Sequence, residues 1–325
     1  MDYLLGVDGG GTKMLAALAE PGGKVIKKHK SGPANYHAVG VEQVQKNLQE
    51  ILDNLVDGDV SKLKACCLGF SGCGRPSDYE VLNPMLERLG ILDKTFLIGD
   101  MAVGLMGGAL EPKGIIIIAG TGSIVYGIGD DGRPARAGGY GQWFADEGSG
   151  FRIGHKGLRA IFMAKDHRIG PVSFAKPVLQ LFGLENPDQL IPWAAEKNNE
   201  GTIKTEIGKA APLIVEAADD GDAVASQILD EEVSELVLAV QAVLKQLTYD
   251  KLPKVVLVGG LVENNPSYFK RLEDGIKDAV EGIQVSAPIS APVVGAVIGA
   301  AQKAGIAISP DFISNLTSSW EKIKE

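Results

Sequence analysis

The sequence predicts an α/β protein of two lobes, in which each lobe is a copy of one β-β-β-α-β type of domain. Residues 11–24, GTKMLAALAEPGGK, align without a gap with residues 120–133, GTGSIVYGIGDDGR, which lie 109 positions later. Each stretch follows an apolar strand and continues into a second strand and a glycine turn, so the matched context favours duplication. The length of 325 residues also suggests about two domains. We expect the lobes to span residues 1–112 and 113–325.

The elements of the first lobe follow from apolar periodicity along the chain. Strands are predicted at 3–8, 14–20 and 25–32 as a meander, then at 63–72 and 95–100. Apolar residues recur on one helical face over 41–56, and further helices are predicted over 79–90 and after Asp100. The meander separates this lobe from folds that begin with a strand–helix unit.

The second lobe repeats the pattern with a longer helical part. An apolar strand, 114–120, precedes the second Gly-Thr pair, and a long amphipathic helix covers 222–247. A fully apolar strand over 254–258 runs into Gly259 and Gly260, and residues 291–305 form a helix of small residues suited to close packing. Residues 309–325 are predicted to be a polar terminal helix whose docking site the sequence leaves open, with the first lobe as one candidate.

Composition excludes several classes of protein. The formal charge of −9 argues against nucleic acid or an anionic membrane as the main partner. Apolar runs such as 114–120 are much shorter than the roughly 20 residues that span a bilayer. The N-terminus lacks the basic and apolar regions of a secretory signal, and three cysteines, Cys66, Cys67 and Cys73, fit neither a disulfide framework nor a C-x-x-C metal pair. We therefore expect a cytoplasmic protein.

The stretch DGGGTK, residues 8–13, lies at the tip of the first strand. Glycines let backbone N–H groups close around an anion, most often a phosphate, although a tight hairpin turn has the same composition. The stretch is not a P-loop, because Lys13 follows Thr12 rather than a glycine, and Met14 stands where a G-x-G-x-x-G fingerprint needs its last glycine. The two Gly-Thr loops are therefore predicted to bind phosphate in another way.

These loops, Asp100 after a strand, GGYGQWFADEGSG at 138–150 and VLVGG at 256–260 occur in a specific order. In this the chain resembles the N-acetylglucosamine kinase group of the BadF/BadG/BcrA/BcrD ATPase family, within the actin–hexokinase–Hsp70 superfamily. The resemblance covers about residues 4–304. It implies two duplicated ribonuclease-H-like (actin-like ATPase) lobes with a nucleotide and sugar cleft between them. It further implies transfer of the γ-phosphoryl group of ATP to a hydroxyl of an amino sugar such as N-acetylglucosamine, glucosamine or N-acetylmuramate.

The resemblance also implies roles for individual residues of the nucleotide site. Asp8 would act on Mg²⁺ through water, with a turn cap as the alternative. The ATP phosphates would contact Gly10, Gly11, Thr12, Lys13, Thr121, Gly122 and Ser123, and adenosine would lie against Gly259 and Gly260. Lys13 is either a phosphate ligand or a solvated turn residue.

The sugar site and the catalytic base follow from the same resemblance. Residues implied to contact the sugar are Asn35, Ser71, Gly72, Asp100, Thr121, Gly139 and Asp146. Asp100 would accept the proton of the acceptor hydroxyl, although an aspartate at a helix start also serves as an ordinary N-cap. His37 is interpreted as a surface residue, Trp143 as structural rather than a stacking face, and Glu147 as a helix-start residue.

Two functions of other classes compete with a sugar kinase. One is an ATPase that activates a 2-hydroxyacyl-CoA dehydratase or benzoyl-CoA reductase through a shared iron–sulfur cluster, but the second Gly-Thr loop carries no cysteine. The other is a non-enzymatic sugar sensor or filament protein, against which the presence of Asp100 argues. Relatives often dimerise, so a homodimer is a further expectation from the resemblance.

Overall fold

Two five-stranded sheets organise the chain, and the computed structural model describes residues 2–323 of it. The chain divides into two units, one around each sheet. Unit 1 runs to Gly114 and includes Ile128–Gly132 and the described residues from Pro288 onward. Unit 2 comprises Ile115–Gly127 and Arg133–Ala287.

The sheet of unit 1 is the predicted meander followed by two parallel strands. Its strands are β1 (Tyr3–Gly9), β2 (Met14–Ala19), β3 (Val25–Ser31), β4 (Leu63–Phe70) and β5 (Thr95–Gly99). Their order is β3-β2-β1-β4-β5, with β1 antiparallel to β2 and parallel to β4, and β4 parallel to β5. The carboxyl ends of β1, β4 and β5 therefore meet at one edge of the sheet, where ligands of α/β sheets bind.

Four helices of unit 1 follow its strands along the chain: α1 (Tyr36–Val39), α2 (Val41–Val56), α3 (Pro76–Arg88) and α4 (Asp100–Ala109), with short 3-10 helices at Val60–Lys62 and Leu92–Lys94. The periodicity over 41–56 predicted α2 correctly, because Val44, Leu48 and Leu52 fall on one face and are buried. The helix ends at Asp57, which adopts a left-handed conformation with φ of 58°.

The sheet of unit 2 repeats the strand order of unit 1. Its strands are β6 (Gly114–Ala119), β7 (Ser123–Ile128), β8 (Pro134–Ala137), β9 (Lys254–Val258) and β10 (Gln284–Ser286). Read from β8, the order is β8-β7-β6-β9-β10, and β6 runs parallel to β9. Since β7 begins and ends 109 positions after β2, the structure confirms the duplication and the ribonuclease-H-like architecture of both units.

Unit 2 inserts a helical region between β8 and β9 that the sequence analysis left largely unassigned. The helices of this unit are α5 (Gly150–Lys165), α6 (Ala175–Leu181), α7 (Leu190–Asn199), α8 (Ile203–Gly208), α9 (Ala211–Asp219), α10 (Ala223–Gln246), α11 (Gly260–Asn264) and α12 (Pro266–Ala279), with a 3-10 helix at Pro187–Gln189. The long helix predicted over 222–247 is α10, and Asp222 caps it by accepting hydrogen bonds from the amides of Val224 and Ala225.

The last two helices, α13 (Pro292–Lys303) and α14 (Pro310–Lys322), belong to unit 1. The division at residues 112 and 113 assigned α13 to the second lobe, whereas the structure packs it against α4, β1 and β4. Glycines allow this close contact, since a Cβ on Gly6 would lie 2.5 Å from the backbone nitrogen of Val297. Unit 1 therefore contains residues that precede unit 2 in the sequence and residues that follow it.

Helix α14 covers the outer strand of the first sheet. Phe312 and Leu316 are buried, and the Ser319 hydroxyl accepts a hydrogen bond of 2.8 Å from the amide of Val25 in β3. An edge strand presents unpaired backbone groups, so this helix protects it from pairing with another chain. Among residues 2–323, no helix combines the length and the apolar character needed to cross a membrane.

Candidate active site

Asp100 is the first residue of α4 and follows directly after β5, as the sequence predicted. Its carboxylate is half-buried, and Oδ1 accepts a hydrogen bond of 2.9 Å from the Met101 amide. Burial raises the pKa of Asp100, although the amide of Met101 and its own amide act in the opposite direction. A raised pKa makes this carboxylate a better proton acceptor than a solvated aspartate.

Asp8, near the end of β1, is a second carboxylate of unit 1 in the same electrostatic environment. Burial and the negative charge of Asp100 raise the pKa of Asp8 to about 6, while Lys13 acts to lower it. Two desolvated carboxylates that repel each other favour a cation or a proton between them. Asp8 thus lies where a nearby cation would stabilise its ionised carboxylate.

Asn35 and Gly72 come together beside this carboxylate pair in unit 1. Asn35 Oδ1 caps α1 by accepting a hydrogen bond of 3.1 Å from the His37 amide. A Cβ on Gly72 would lie 3.1 Å from this same Oδ1, so a side chain there would cover it. His37, whose side chain is half-exposed, approaches the Gly72 carbonyl oxygen at 3.2 Å through Nε2 and so joins the two loops.

Ser71 carries a buried polar atom that the fold leaves unsatisfied. Its Oγ is buried and finds no hydrogen-bond partner among the described residues. Its amide donates a hydrogen bond of 2.8 Å to the Gly9 carbonyl oxygen, which ties this loop to the end of β1. Unsatisfied buried hydroxyls are uncommon in native proteins, and a ligand hydroxyl would satisfy this one.

The first Gly-Thr loop connects β1 and β2 and is open to solvent. Gly11, Thr12 and Lys13 are exposed. The amide of Gly10 donates a hydrogen bond of 2.9 Å to the Lys13 carbonyl oxygen, which closes the turn. The remaining amides and the Thr12 hydroxyl are thus accessible to an anion.

The second Gly-Thr loop connects β6 and β7 and is fastened to the start of α5. The amide of Gly150 donates a hydrogen bond of 2.8 Å to the Gly120 carbonyl oxygen. The amide of Phe151 donates one of 3.2 Å to the Thr121 carbonyl oxygen. Thr121 itself is exposed. Ser123 differs from its predicted role, because its buried hydroxyl donates to the Glu147 carbonyl oxygen at 2.6 Å and supports the loop.

Asp146 lies directly behind the second loop rather than on an open surface. Its side chain is 4 % exposed and its Oδ2 forms an ion pair of 2.6 Å with Lys204 Nζ. The residue adopts φ of 88°, a left-handed conformation that costs free energy for a non-glycine residue. The sequence analysis singled out Asp146 but missed Lys204, which lies in a helical region without a recognisable motif.

Two buried side chains hold the segment that carries Asp146. The Gly148 amide donates to Glu232 Oε2 at 2.5 Å, and its carbonyl oxygen accepts from the Tyr268 hydroxyl at 2.9 Å. Glu232 also pairs with Lys156 at 2.8 Å, so its buried charge is compensated. Glu147 does not begin a helix as predicted, since α5 starts at Gly150 with Ser149 as its cap.

Gly259 and Gly260 lie beside the second loop, at the carboxyl end of β9. Gly259 has φ of 109°, and a Cβ there would lie 2.5 Å from the Ala119 carbonyl oxygen. A Cβ on Gly120 would lie 3.9 Å from the Gly260 amide nitrogen, which places the two glycine segments next to each other. Unit 2 thus brings together the residues predicted to contact the nucleotide on its side.

The segment around Gly139 and Trp143 leaves its aromatic side chains in solvent. Gly139 packs on β7, because a Cβ there would lie 2.7 Å from Ile124 Cδ1. Trp143 is 77 % exposed and Phe144 is 85 % exposed, so the side chain of Trp143 does not have the buried packing that its interpretation as a structural residue implied. A pocket of about 280 Å³ adjoins this segment, and its lining includes Ile124 and Glu147 but not Thr121.

The described residues offer no closed metal centre of side chains. Within 2–323, no group of three or more His, Cys, Asp or Glu is arranged to hold a metal ion. Cys66 and Cys67 are fully buried, and burial raises the pKa of Cys66 and of the partly buried Cys73 to about 12. Cys66 and Cys67 are therefore core residues without access to a cluster bound at the surface.

The duplicated units, each with a Gly-Thr loop after its first strand, define an actin-like ATPase fold. The chain belongs to the BadF/BadG/BcrA/BcrD ATPase family, whose profile matches residues 5–304. It is 34 % identical over 271 residues to an N-acetylmuramic acid/N-acetylglucosamine kinase of Clostridium acetobutylicum, which covers 82 % of this chain and 88 % of that protein.

Two further proteins extend the comparison. An N-acetyl-D-glucosamine kinase of Dictyostelium discoideum is 31 % identical over 277 residues, covering 81 % of this chain and 86 % of that protein. The crystal structure of a Chromobacterium violaceum protein assigned as an N-acetylglucosamine kinase superimposes with a TM-score of 0.64 at 24 % identity, over 92 % of this chain and 99 % of that one. The last likeness establishes the shared fold.

Proposed function

We propose that the protein is an ATP-dependent hexosamine kinase that phosphorylates a hydroxyl of an amino sugar. The observation that supports this most directly is the half-buried carboxylate of Asp100 at the carboxyl end of β5, which interacts electrostatically with Asp8. Unit 1 also contains the unsatisfied Ser71 hydroxyl, which a sugar hydroxyl would satisfy. The kinase names of the relatives from Clostridium acetobutylicum and Dictyostelium discoideum support the same reaction class.

Asp100 would act as the general base. The acceptor hydroxyl oxygen forms a bond to the γ-phosphorus of ATP while the bond from that phosphorus to the β–γ bridging oxygen breaks. The hydroxyl proton passes to the Asp100 carboxylate and ADP leaves. Because phosphoryl transfer needs little covalent chemistry from the protein, the remaining task is to position both substrates and balance their charge.

Mg²⁺ fits the residues around Asp8. The raised pKa of Asp8, caused by burial and by the charge of Asp100, indicates a position where a cation would stabilise the ionised carboxylates. Mg²⁺ takes one or two carboxylates and completes its shell with water and phosphate oxygens, so it needs no closed cage of side chains. When bound, it would neutralise charge on the ATP phosphates.

The nucleotide residues are proposed from their placement in each unit. The accessible Thr12 and Thr121 hydroxyls and the amides of Gly11 and Gly122 would bind phosphate oxygens. Gly10, whose amide closes the first turn, would line this site with bare backbone. Gly259 and Gly260 would leave bare backbone for adenosine, since they carry no side chain beside the second loop. Lys13 lies on an exposed loop and its charge reaches Asp8, which favours a phosphate ligand over a purely solvated residue.

The sugar would be an N-acetylated or free hexosamine. In unit 1, Asn35 Oδ1, the unsatisfied Ser71 hydroxyl and the bare Gly72 backbone provide paired acceptors and donors for sugar hydroxyls. In unit 2 we propose Gly139 and Asp146 as further contacts. We also propose that the enzyme works in the cytoplasm, where ATP is supplied, and as a homodimer.

A kinase assay on a sugar panel tests this proposal. The purified protein, MgATP and one of N-acetylglucosamine, N-acetylmuramate, glucosamine or N-acetylmannosamine are incubated, and sugar phosphate is quantified by mass spectrometry. We expect phosphorylation of at least one of these sugars at a rate far above that of ATP hydrolysis without sugar. ATP hydrolysis that no sugar stimulates would contradict the proposal and favour an ATPase activator.

A further inference from the structure

We propose that Lys204 is the cation of the second Gly-Thr loop and binds a phosphate oxygen of ATP. The inference rests on the proposed function. Lys204 lies in α8, outside the sequence of the second Gly-Thr loop.

The ammonium group of Lys204 lies directly against the loop backbone. A Cβ placed on Gly122 would be only 3.0 Å from Lys204 Nζ and 3.2 Å from Asp146 Oδ1. The lysine side chain is 32 % exposed, whereas that of Asp146 is 4 % exposed. The ammonium group therefore has a buried partner, while part of the lysine side chain is exposed to solvent.

The duplication gives this position a counterpart in the first loop. With the offset of 109 positions, Thr12 corresponds to Thr121, and Lys13 corresponds to Gly122. The second loop thus lacks the lysine that the first loop carries. Lys204 from α8 brings an ammonium group to the space that a side chain at Gly122 would enter, so each loop has one lysine, from different parts of the sequence.

Helix α8 is fixed at the loop on which Lys204 would act. A Cβ on Gly208, one turn after Lys204, would lie 3.5 Å from Thr121 Cγ2, and α8 packs against α5. The backbone of Asp146 is held in turn, because its carbonyl oxygen accepts a hydrogen bond of 3.1 Å from the Ser149 amide. The ammonium group is therefore positioned before any ligand binds, which reduces the entropy lost on binding.

The chemistry of the pair suits a phosphate. Lysine has three N–H donors, and the Lys204 ammonium group lies 2.6 Å from Asp146 Oδ2 in an ion pair. These donors can bind phosphate oxygens, as point-charge lysines do in other phosphate sites. Through this ion pair, Asp146 would hold the ammonium group close to the second Gly-Thr loop.

Nucleotide titrations separate a phosphate contact from a structural ion pair. The affinities of AMP, ADP and a non-hydrolysable ATP analogue are measured by calorimetry for the parent protein and Lys204→Gln. Lys197→Gln is the matched control, because Lys197 is also ion-paired, partly exposed and in unit 2, but its ion-pair partners among the described residues are Glu196 and Glu200. Lys204→Arg retains the charge in case Lys204→Gln fails to fold, and thermal unfolding monitors all variants.

If Lys204 contacts a β- or γ-phosphate, Lys204→Gln should weaken the binding of the ATP analogue by about 10- to 100-fold, a loss typical of one charged hydrogen bond. It should weaken the binding of AMP by less than about twofold. Lys204→Arg should weaken it less, and Lys197→Gln should leave all three affinities unchanged. Equal losses for AMP and the analogue, or none for either, would overturn the proposal. So would a defect confined to an acidic sugar such as N-acetylmuramate.

The outcome also separates this inference from the proposed function. If the parent protein binds the ATP analogue through Lys204 but phosphorylates no sugar, the phosphate site is supported and the proposed kinase activity is contradicted. If the parent phosphorylates a sugar while Lys204→Gln binds the analogue normally, the kinase activity is supported and the role of Lys204 is overturned. A parent that does not bind the analogue would contradict both.

Discussion

The carboxylates of Asp8 and Asp100 are electrostatic neighbours in unit 1, at the ends of β1 and β5. Burial and the charge of Asp100 together raise the pKa of Asp8 to about 6. Burial also raises the pKa of Asp100. Two carboxylates whose ionised forms are disfavoured at one sheet edge do not stabilise the fold. A function that uses their charge is therefore the better explanation of the arrangement.

The replacement Asp8→Asn should make the protein more stable near neutral pH. In the folded state the pKa of Asp8 lies near 6 and in the unfolded chain near 3.8, so the folded state holds a proton between these values that the unfolded chain has released. The free energy of unfolding of the parent therefore decreases as pH rises through this window. Above it, ionised Asp8 destabilises the fold by about 3 kcal/mol at most.

Urea unfolding of both proteins at pH values between 4 and 8, without nucleotide or Mg²⁺, measures this difference. The stability of Asp8→Asn relative to the parent should increase from pH 4 to pH 6 and then remain constant. Parallel stability curves would show that Asp8 has an ordinary pKa in the folded protein. The conservative replacement Asp53→Asn on the exposed side of α2 provides a control.

The replacement Thr121→Val should weaken nucleotide binding without unfolding unit 2. Thr121 is exposed, and the loop is held by backbone hydrogen bonds from α5 that valine preserves. Loss of one hydroxyl contact to a charged phosphate should raise the Kd of an ATP analogue about tenfold. Calorimetric titration measures this change, and an unaltered Kd would remove Thr121 from the phosphate site.

The replacement Gly259→Ala should destabilise unit 2 more than Gly11→Ala destabilises unit 1. At Gly259 the backbone has φ of 109° and a Cβ would lie 2.5 Å from the Ala119 carbonyl oxygen, whereas a Cβ on Gly11 meets nothing within 4 Å. We expect losses of about 1–3 kcal/mol and less than about 0.5 kcal/mol, respectively. Chemical denaturation of the two variants tests the order, and equal losses would contradict this account of Gly259.

The three-strand meander of each unit could be predicted because the duplication is visible in local sequence. The hairpin from Gly11 to Lys24 and its copy carry the same Gly-Thr, apolar strand and turn in the same register, and β2 and β7 match at both ends. The strands next to them are apolar and short. Local pattern was sufficient for β1–β3 and β6–β8, because these strands are adjacent both in sequence and in the sheets. The pairs β1–β4 and β6–β9 instead join distant segments.

The return of α13 to the first unit could not be predicted in this way. Its small residues indicated close packing but not the partner, which depends on glycines of the sheet and of α4 that accept a helix at short distance. Gly6 in β1 and Gly299 in α13 take part in this contact, the latter 2.6 Å from Cys67 Sγ when a Cβ is placed on it. Such complementarity is a property of two distant segments.

The candidate site shows the same division between local and distant information. Asp100, Asn35 and Asp146 were identified because they match motifs of the family, and Asp100 also stands where a strand meets a helix. Lys204 is far from every motif, and its pairing with Asp146 depends on how α8 packs against α5. The one available signal was the absence of a lysine at Gly122 where the first loop has Lys13.

The turnover of Asp100→Asn with MgATP and the preferred amino sugar tests the central claim most directly. Asparagine keeps the size and the hydrogen bond to the Met101 amide but removes the proton acceptor, so kcat should fall by about 10²- to 10⁴-fold while the KM values and the folding stability change little. In the parent, activity should decline on acidification at a pH above the usual range for aspartate, because burial raises the pKa of Asp100. A stable variant with turnover close to that of the parent would contradict the assignment of Asp100 as catalytic base.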